Sequence, residues 1–445
     1  MAAPHAVPRS QIGTKQLCGV WEENDEMTTY AEMNGLVEAT PEDVGMSSRR
    51  LVVLTRVVQQ YVDEGKLAGA ITVVARHGRV AHFQLYGDMD AEAHKPMAAD
   101  AIFRMASMTK PIASVALMSL YEEGHFQLET PVADFIPAFS GSGVFVSRNA
   151  GIVSTRPPTR PITVRDVLTH TAGFDGLQGG TDVTDSYKAA GIAGLDGAAP
   201  ATGTLAERAD LLARLPLVSD PGQRFTYHYG TDIVGRLCEV ISEKPLDRFL
   251  QERVFGPLGM RDTSFHVPAA KRGRLAANYQ QADGDGPQYR RQDPRTDARY
   301  AEDATFLSAG AGLVSTAGDY VQFAKMLTGG GELGSERIVG RRTLRFMSAN
   351  HLPGGRDLEE MGRAHSPTST SRGTGFGLGF AVLLDPANAG ILGTPGEYNW
   401  GGAFSTAFFI SPADDLAVLF LTQLGGSTHH IRQQLRIAAY QAIDD

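Results

Sequence analysis

"FRMASMTKPIASVALMSLYEEG", residues 103–124, is the stretch on which the reading of this chain turns. Ser107 stands three residues ahead of Lys110, Pro111 follows, and the apolar stretch to Tyr121 predicts a buried helix. Residues three apart share a helix face, so the Lys110 amine can reach the Ser107 hydroxyl. A helix start also supplies free N–H groups and partial positive charge beside any oxyanion. Pro111 falls in the first turn, where a missing N–H costs little. A serine hydroxyl ionises far above neutral pH, so it attacks only with a base beside it, and a partly buried lysine is such a base. Taken alone the pattern is weak. At ordinary residue usage about one or two Ser-x-x-Lys tetrapeptides occur by chance in a chain this long, and most are a capping serine and a solvated lysine.

Working outward, composition sets the bounds. The 445 residues are 42% hydrophobic and 20% charged, enough for one core with a large insertion or for two or three domains. A net charge of −9 with no basic stripe argues against a nucleic-acid partner. Cys18 and Cys238 are the only cysteines, which offers neither a disulfide framework nor a multi-cysteine zinc site. Residues 1–40 are polar and patternless and read as an N-terminal tail without the apolar region of a secretory signal. No stretch approaches the ~20 apolar residues of a membrane span. The expectation is a cytoplasmic protein with no membrane partner; its oligomeric state is not legible.

"SSRRLVVLTRVVQQYVDEG" carries Leu51, Leu54, Val57, Val58 and Tyr61 at helical spacing. Two β-rich runs then flank His77-Gly78, which predicts a hairpin. From about residue 140, Gly/Ala/Pro-rich connections and helical patterns alternate, and residues 279–303 form a long polar segment. The C-terminal part returns to short apolar runs, "GFGLGFAVLL", "FSTAFFISP" and "DLAVLFLTQ", before a last helix. This order predicts a split α/β domain, residues 41–120 and 305–445, around a mostly helical part at 121–304.

Five further segments accompany the Ser-x-x-Lys stretch in order: "VLTHTAGF" at 167–174, "PGQRFTYHYGTDIVG" at 221–235, "SAGAGLVSTAGDY" at 308–320, "GFGLGF" at 375–380 and "NWGGAFSTAFFISP" at 399–412. Together they resemble the serine β-lactamase and penicillin-binding superfamily. Within it they are most similar to the class C β-lactamase-like carboxylesterases, often called family VIII esterases, over residues 41 to 445.

The resemblance implies a β-lactamase-like fold, a central antiparallel sheet flanked by helices with a mostly helical insertion. It implies Ser107 as the acylated nucleophile and Lys110 as its proton acceptor. Tyr227 falls at the tyrosine of the Tyr-x-Asn motif, where a phenol relays a proton to the leaving alcohol. Tyr229 stands where lactamases have asparagine. Trp400, Gly401 and Gly402 replace the lactamase Lys-Thr-Gly in the manner of the esterases. These three residues and Tyr229 are the expected substrate contacts. An edge strand there would aim the Ala403 N–H at the substrate carbonyl and complete an oxyanion hole with the Ser107 N–H. His170 is expected to hydrogen-bond beneath the site.

The implied reaction is hydrolysis of a small, neutral, short-acyl ester through an acyl-enzyme, with no cofactor and no metal. An acyltransferase, a β-lactamase or D-alanyl-D-alanine peptidase, and a non-catalytic binding protein are the alternatives. Other motifs lead nowhere. "GGGELG" at 329–334 follows a helix instead of a strand, no Gly-x-Ser-x-Gly elbow exists, and His429-His430 lack a His-Glu-x-x-His setting.

Overall fold

The computed structural model describes residues 36–176, 182–192, 202–283, 286–292, 294–363 and 370–444. Most of the expected tail lies outside these, Cys18 included. Its last five residues do not behave as a tail. The Glu38 N–H donates to the Val80 carbonyl (2.8 Å), and the Glu38 carboxylate pairs with the largely buried Lys325 at 2.7 Å. The fold therefore begins before residue 41.

His77 and Gly78 both take left-handed backbone (φ 52° and 72°), and they join β1 (Gly69–Arg76) to β2 (Arg79–Asp90). A two-residue turn of that hand matches strand twist, which is why the hairpin was legible. Six more strands complete the sheet: β3 (Lys95–Pro96), β4 (Thr374–Phe376), β5 (Ala381–Leu383), β6 (Tyr398–Gly401), β7 (Ala407–Ser411) and β8 (Leu416–Leu421). Their order is β4-β5-β6-β7-β8-β1-β2-β3, antiparallel at every pairing. The chain's N- and C-terminal parts meet where β1 pairs with β8, Ile71 opposite Leu421.

Five helices frame this sheet: α1 (Ser48–Asp63), α2 (Thr109–Glu122), α3 (Gly230–Ser242), α4 (Ala317–Thr328) and α5 (Ile431–Tyr440). Successive strand residues face opposite sides. Ala70, Val74, Val418 and Phe420 pack with Leu51, Leu54 and Val58 of α1 and Leu435 of α5. Ile71, Val73, Leu419 and Leu421 pack with α2 and α4, through Leu117 and Phe323 among others. Every α2 residue from Thr109 to Leu120 is buried, as the apolar run requires.

The part between α2 and α4 holds α3, the shorter helices Val164–Leu168, Leu205–Arg214 and Leu246–Leu250, and an outlying hairpin, Val144–Asn149 with Ile152–Arg156. Val167, Leu212 and Val234 share one continuous core with Leu117 and Phe323, so this part does not have a core of its own. The polar segment after residue 278, which reads as a loop, carries a short ladder (Tyr279–Gln281 with Tyr289–Arg291) and a turn at Pro294–Tyr300. Its order has a cause in Arg104. That guanidinium is buried and donates to Asp297 (2.8 Å), to Gln423 Oε1 (3.1 Å) and to the Ala276 carbonyl. A buried cation needs such acceptors, and they come from distant chain.

Candidate active site

The chain enters the site through Ala106, whose φ of 45° is left-handed. For a residue with a Cβ this costs about 1–2 kcal/mol, and the strain falls immediately before Ser107. Residues Ala106–Met108 form a single 3-10 turn ahead of α2, and no side chain caps either start. Ser107 is thus not the capping serine of an ordinary helix. Its Oγ instead accepts from Lys110 Nζ at 3.2 Å.

Lys110 is 3% exposed and also donates to the Gly310 carbonyl at 2.7 Å. Asp232 of α3 fixes that carbonyl's segment. Its Oδ1 accepts from the Gly310 N–H (3.0 Å) and from Ser308 Oγ (2.8 Å). Sequence reasoning did not single out Asp232. The only signal was an acid on the otherwise apolar "GTDIVGRL" face, and its partners are a backbone N–H and a serine far away in the chain.

Tyr227 leads into α3 with its ring 4.7 Å from Lys110 Nζ. The ring packs edge-on against His170 (4.7 Å between centroids) and tilted against Trp400 (5.2 Å). His170, expected to hydrogen-bond, packs here among aromatic rings. It also meets Phe225 and Phe376, and its buried Nδ1 has no hydrogen-bond partner among the described residues. Burial, then the neighbouring Lys110 charge, hold its pKa well below the usual imidazole range, so it is neutral near pH 7.

Tyr229 is a correction. It is 3% exposed, its ring stacks on Tyr187 (5.9 Å) and meets His228 edge-on, and it is not among the residues lining the cleft. Burial pushes its hydroxyl far above the usual phenol range. An aromatic ring has more apolar surface to bury than an asparagine amide, and the ring has gone into the wall.

Trp400, Gly401, Gly402 and Ala403 line the cleft with Ser107 and Tyr227, in a space of about 400 Å³ that also touches Leu358, Ile391, Arg363 and Arg432. The strand carrying them is not an edge strand: β6 lies between β5 and β7. Its pairing to β5 nevertheless stops at Asn399, while Trp400 and Gly401 pair only with Phe408 and Ala407 on the other side. The edge character is local. At Gly402 a Cβ would stand 2.2 Å from Thr406 Oγ1 and 2.5 Å from the Met105 carbonyl, so only glycine lets this turn close against the approach to Ser107. Among the described residues no hydrogen bond takes up the N–H of Ser107 or of Ala403.

A serine directly after a strained residue, with a buried lysine beside it, a phenol over that lysine and N–H groups of Ser107 and Ala403 without a hydrogen-bond partner among the described residues, forms an arrangement suited to acyl transfer. Comparison with known proteins points the same way. Residues 54–442 match the family model described as Beta-lactamase. The chain is 30% identical over 407 residues to Esterase EstB of Burkholderia gladioli, covering 87% of this chain and 94% of that one. Among solved structures, "EstCE1, a hydrolase with promiscuous acyltransferase activity" superposes with a TM-score of 0.73 at 29% identity, over 88% of this chain and 99% of that one. Simvastatin synthase LovD of Aspergillus terreus gives 0.74 at 23% identity, over 88% and 98%, a likeness of fold alone. The match to the family model spans nearly the whole fold, from α1 to α5, and the chain belongs to the beta-lactamase family, as a serine hydrolase of β-lactamase fold.

Proposed function

We propose that the protein is a carboxylesterase that cleaves short-acyl esters of small molecules through an acyl-enzyme on Ser107. The observation that carries this reading is the convergence of Lys110 Nζ on Ser107 Oγ at 3.2 Å, with the Tyr227 ring over the same amine. Ser107 Oγ attacks the ester carbonyl carbon as its proton passes to Lys110. The resulting oxyanion accepts from the Ser107 and Ala403 N–H groups, where one such donor is commonly worth ~3 kcal/mol of barrier. Tyr227 passes the proton to the departing alkoxide, which leaves as the alcohol. Water then attacks the acyl carbon and gives a proton to the same Lys110–Tyr227 pair, which returns it to Ser107 Oγ as the acyl–Oγ bond breaks and the acid leaves.

Trp400 favours esters over β-lactams. Its indole offers an apolar face and one N–H, where a lysine would hold a lactam's carboxylate by charge. Transfer of the acyl group to an alcohol in place of water needs only a different acceptor in the same cleft. The promiscuous acyltransferase activity of the hydrolase EstCE1 supports this as a side reaction.

The test is a set of p-nitrophenyl acetate, butyrate and longer esters run beside nitrocefin and a penicillin, with fluorophosphonate labelling of the serine. The expected kcat/KM for the short esters exceeds that for any β-lactam by ~100-fold, because a lost charge-assisted anchor and a lost amide contact each cost about tenfold. Comparable efficiency on penicillins would move the chain among the lactamases, and an added alcohol that diverts most product to a new ester would make it a transferase.

A further inference from the structure

Behind the turn that joins β6 to β7 lies a cation that the reaction just proposed does not use. Arg432, in the first turn of α5, donates through Nη2 to the Gly402 carbonyl and to the Thr406 carbonyl, both at 2.9 Å. Its guanidinium occupies the space where a side chain at position 401 would stand: a Cβ there would lie 2.7 Å from Cζ. The Gly402 carbonyl also accepts from the Ser405 N–H at 3.1 Å, and Ser405 itself has a left-handed φ of 67°. The turn is further tied by Ser405 Oγ to the Leu424 carbonyl at 2.7 Å.

The geometry of one peptide unit gives these contacts their meaning. The Gly402 C=O and the Ala403 N–H belong to the same planar trans peptide and point in opposite directions. A grip on the oxygen from the α5 side therefore turns the N–H to the opposite side. The Gly402 carbonyl points into the β6–β7 turn, towards the Ser405 N–H, so the Ala403 N–H points away from β7, to the side where β6 has lost its pairing with β5 and where Ser107 and Trp400 line the cleft. Without the grip the Gly402 carbonyl keeps the Ser405 N–H as its partner among the described residues, and glycine on the N-terminal side of the peptide tolerates the backbone change of a flip. A flipped peptide would present a carbonyl oxygen to the incoming ester oxygen, two acceptors facing each other.

We propose that Arg432 is a positioning residue for the oxyanion hole: it locks the Gly402–Ala403 peptide with its N–H towards Ser107, and Gly401 is glycine to admit the guanidinium. This rests on the esterase reading above, in which the Ala403 N–H is one of the two donors. The cation also polarises the peptide through its carbonyl, which makes the N–H a stronger donor. Burial pulls the Arg432 pKa down to about 10, which leaves it cationic near neutral pH. Burying a cation against two carbonyls is a costly way to pack a helix, and an effective way to hold a dipole.

The experiment compares Arg432→Met, Arg432→Lys and Gly401→Ala with wild type on p-nitrophenyl butyrate and on its thiono analogue, whose C=S accepts hydrogen bonds poorly. Arg432→Met is expected to lower kcat on the oxo ester by about ten- to a hundredfold with KM little changed, and to lower the thiono rate less. Arg432→Lys, which can satisfy one of the two carbonyls, should fall between. Gly401→Ala should repeat the loss by expelling the guanidinium, and the double variant should add little to it. Equal falls on both esters, an unchanged kcat in any folded variant, or additive losses overturn the lock. A wild type inactive on both esters sinks the esterase reading instead. In that case a crystal structure of Arg432→Met still decides: an unmoved Gly402–Ala403 peptide overturns the proposal, and a reoriented one supports it.

Discussion

On the cleft wall that carries Ser107 and Lys110, the two groups stand three residues apart, and one turn of chain brings them to 3.2 Å. On the facing wall, Ala403 reaches the site from near the other end of the chain, through the sheet, the bare Cα of Gly402 and the reach of Arg432 from α5. The first wall is local geometry with distant support from Asp232; the second is distant support throughout. A nucleophile and its base can be encoded in a tetrapeptide, because both are side chains on one face. An oxyanion donor is a backbone N–H, whose direction is set by whatever holds the peptide.

The largest effect should come from removing the local wall's proposed nucleophile. Ser107→Ala should abolish ester turnover and fluorophosphonate labelling while the protein still folds, since the hydroxyl caps no helix. Appreciable residual hydrolysis, measured on p-nitrophenyl butyrate, would place the nucleophile elsewhere. Next come the proposed proton carriers. Lys110→Ala and Tyr227→Phe should each lower kcat by at least ~100-fold, the usual scale for a positioned acid–base group. Near-normal kcat in Tyr227→Phe would take the phenol out of the relay.

A smaller loss should reveal how far the local wall depends on distant chain. Asp232→Asn keeps the shape but replaces a carboxylate that accepts from both Ser308 and Gly310, so Lys110 should lose its fixed carbonyl partner. We expect kcat to fall about tenfold with little change in KM. A wild-type rate from this variant would mean that the Ser-x-x-Lys turn needs no outside support.

The smallest effect concerns the tie between the outlying hairpin and the Pro-Gly turn ahead of Tyr227. Asp220 pairs with Arg156 at 2.6 Å, and that hydrogen-bonded partner lowers its pKa to about 2. A carboxylate depressed in the folded state stabilises above its unfolded pKa, and the gain is lost as pH falls through the folded value. The wild-type melting temperature should therefore drop between about pH 4 and pH 2 by more than that of Asp220→Asn. Parallel curves for the two proteins would show that the pair contributes nothing.

Legibility followed the same division. The β1–β2 hairpin, the buried α2 and the C-terminal strands were readable because turn residues and apolar runs act on their own neighbours. The sheet order was not, and the strand of Trp400 proved internal, with free edge only past Asn399. Tyr229 was expected at the cleft and lies in the wall. His170 was expected to hydrogen-bond and packs among rings instead. Asp232 and Arg432 passed unnoticed since each is one of several polar residues on its helix, with backbone groups among its partners that leave no mark in sequence.

The sequence by itself determined the family resemblance, the Ser107–Lys110 pair, Tyr227 and the glycines around Trp400, because residue identity and short spacing are enough to specify side-chain chemistry. The tertiary structure alone decided which glycine turn stands in the cleft with Ser107, which carbonyl holds Lys110 and which aromatic rings reach the cleft. Those are matters of direction, and direction is set where chain segments hundreds of residues apart exclude water and one another.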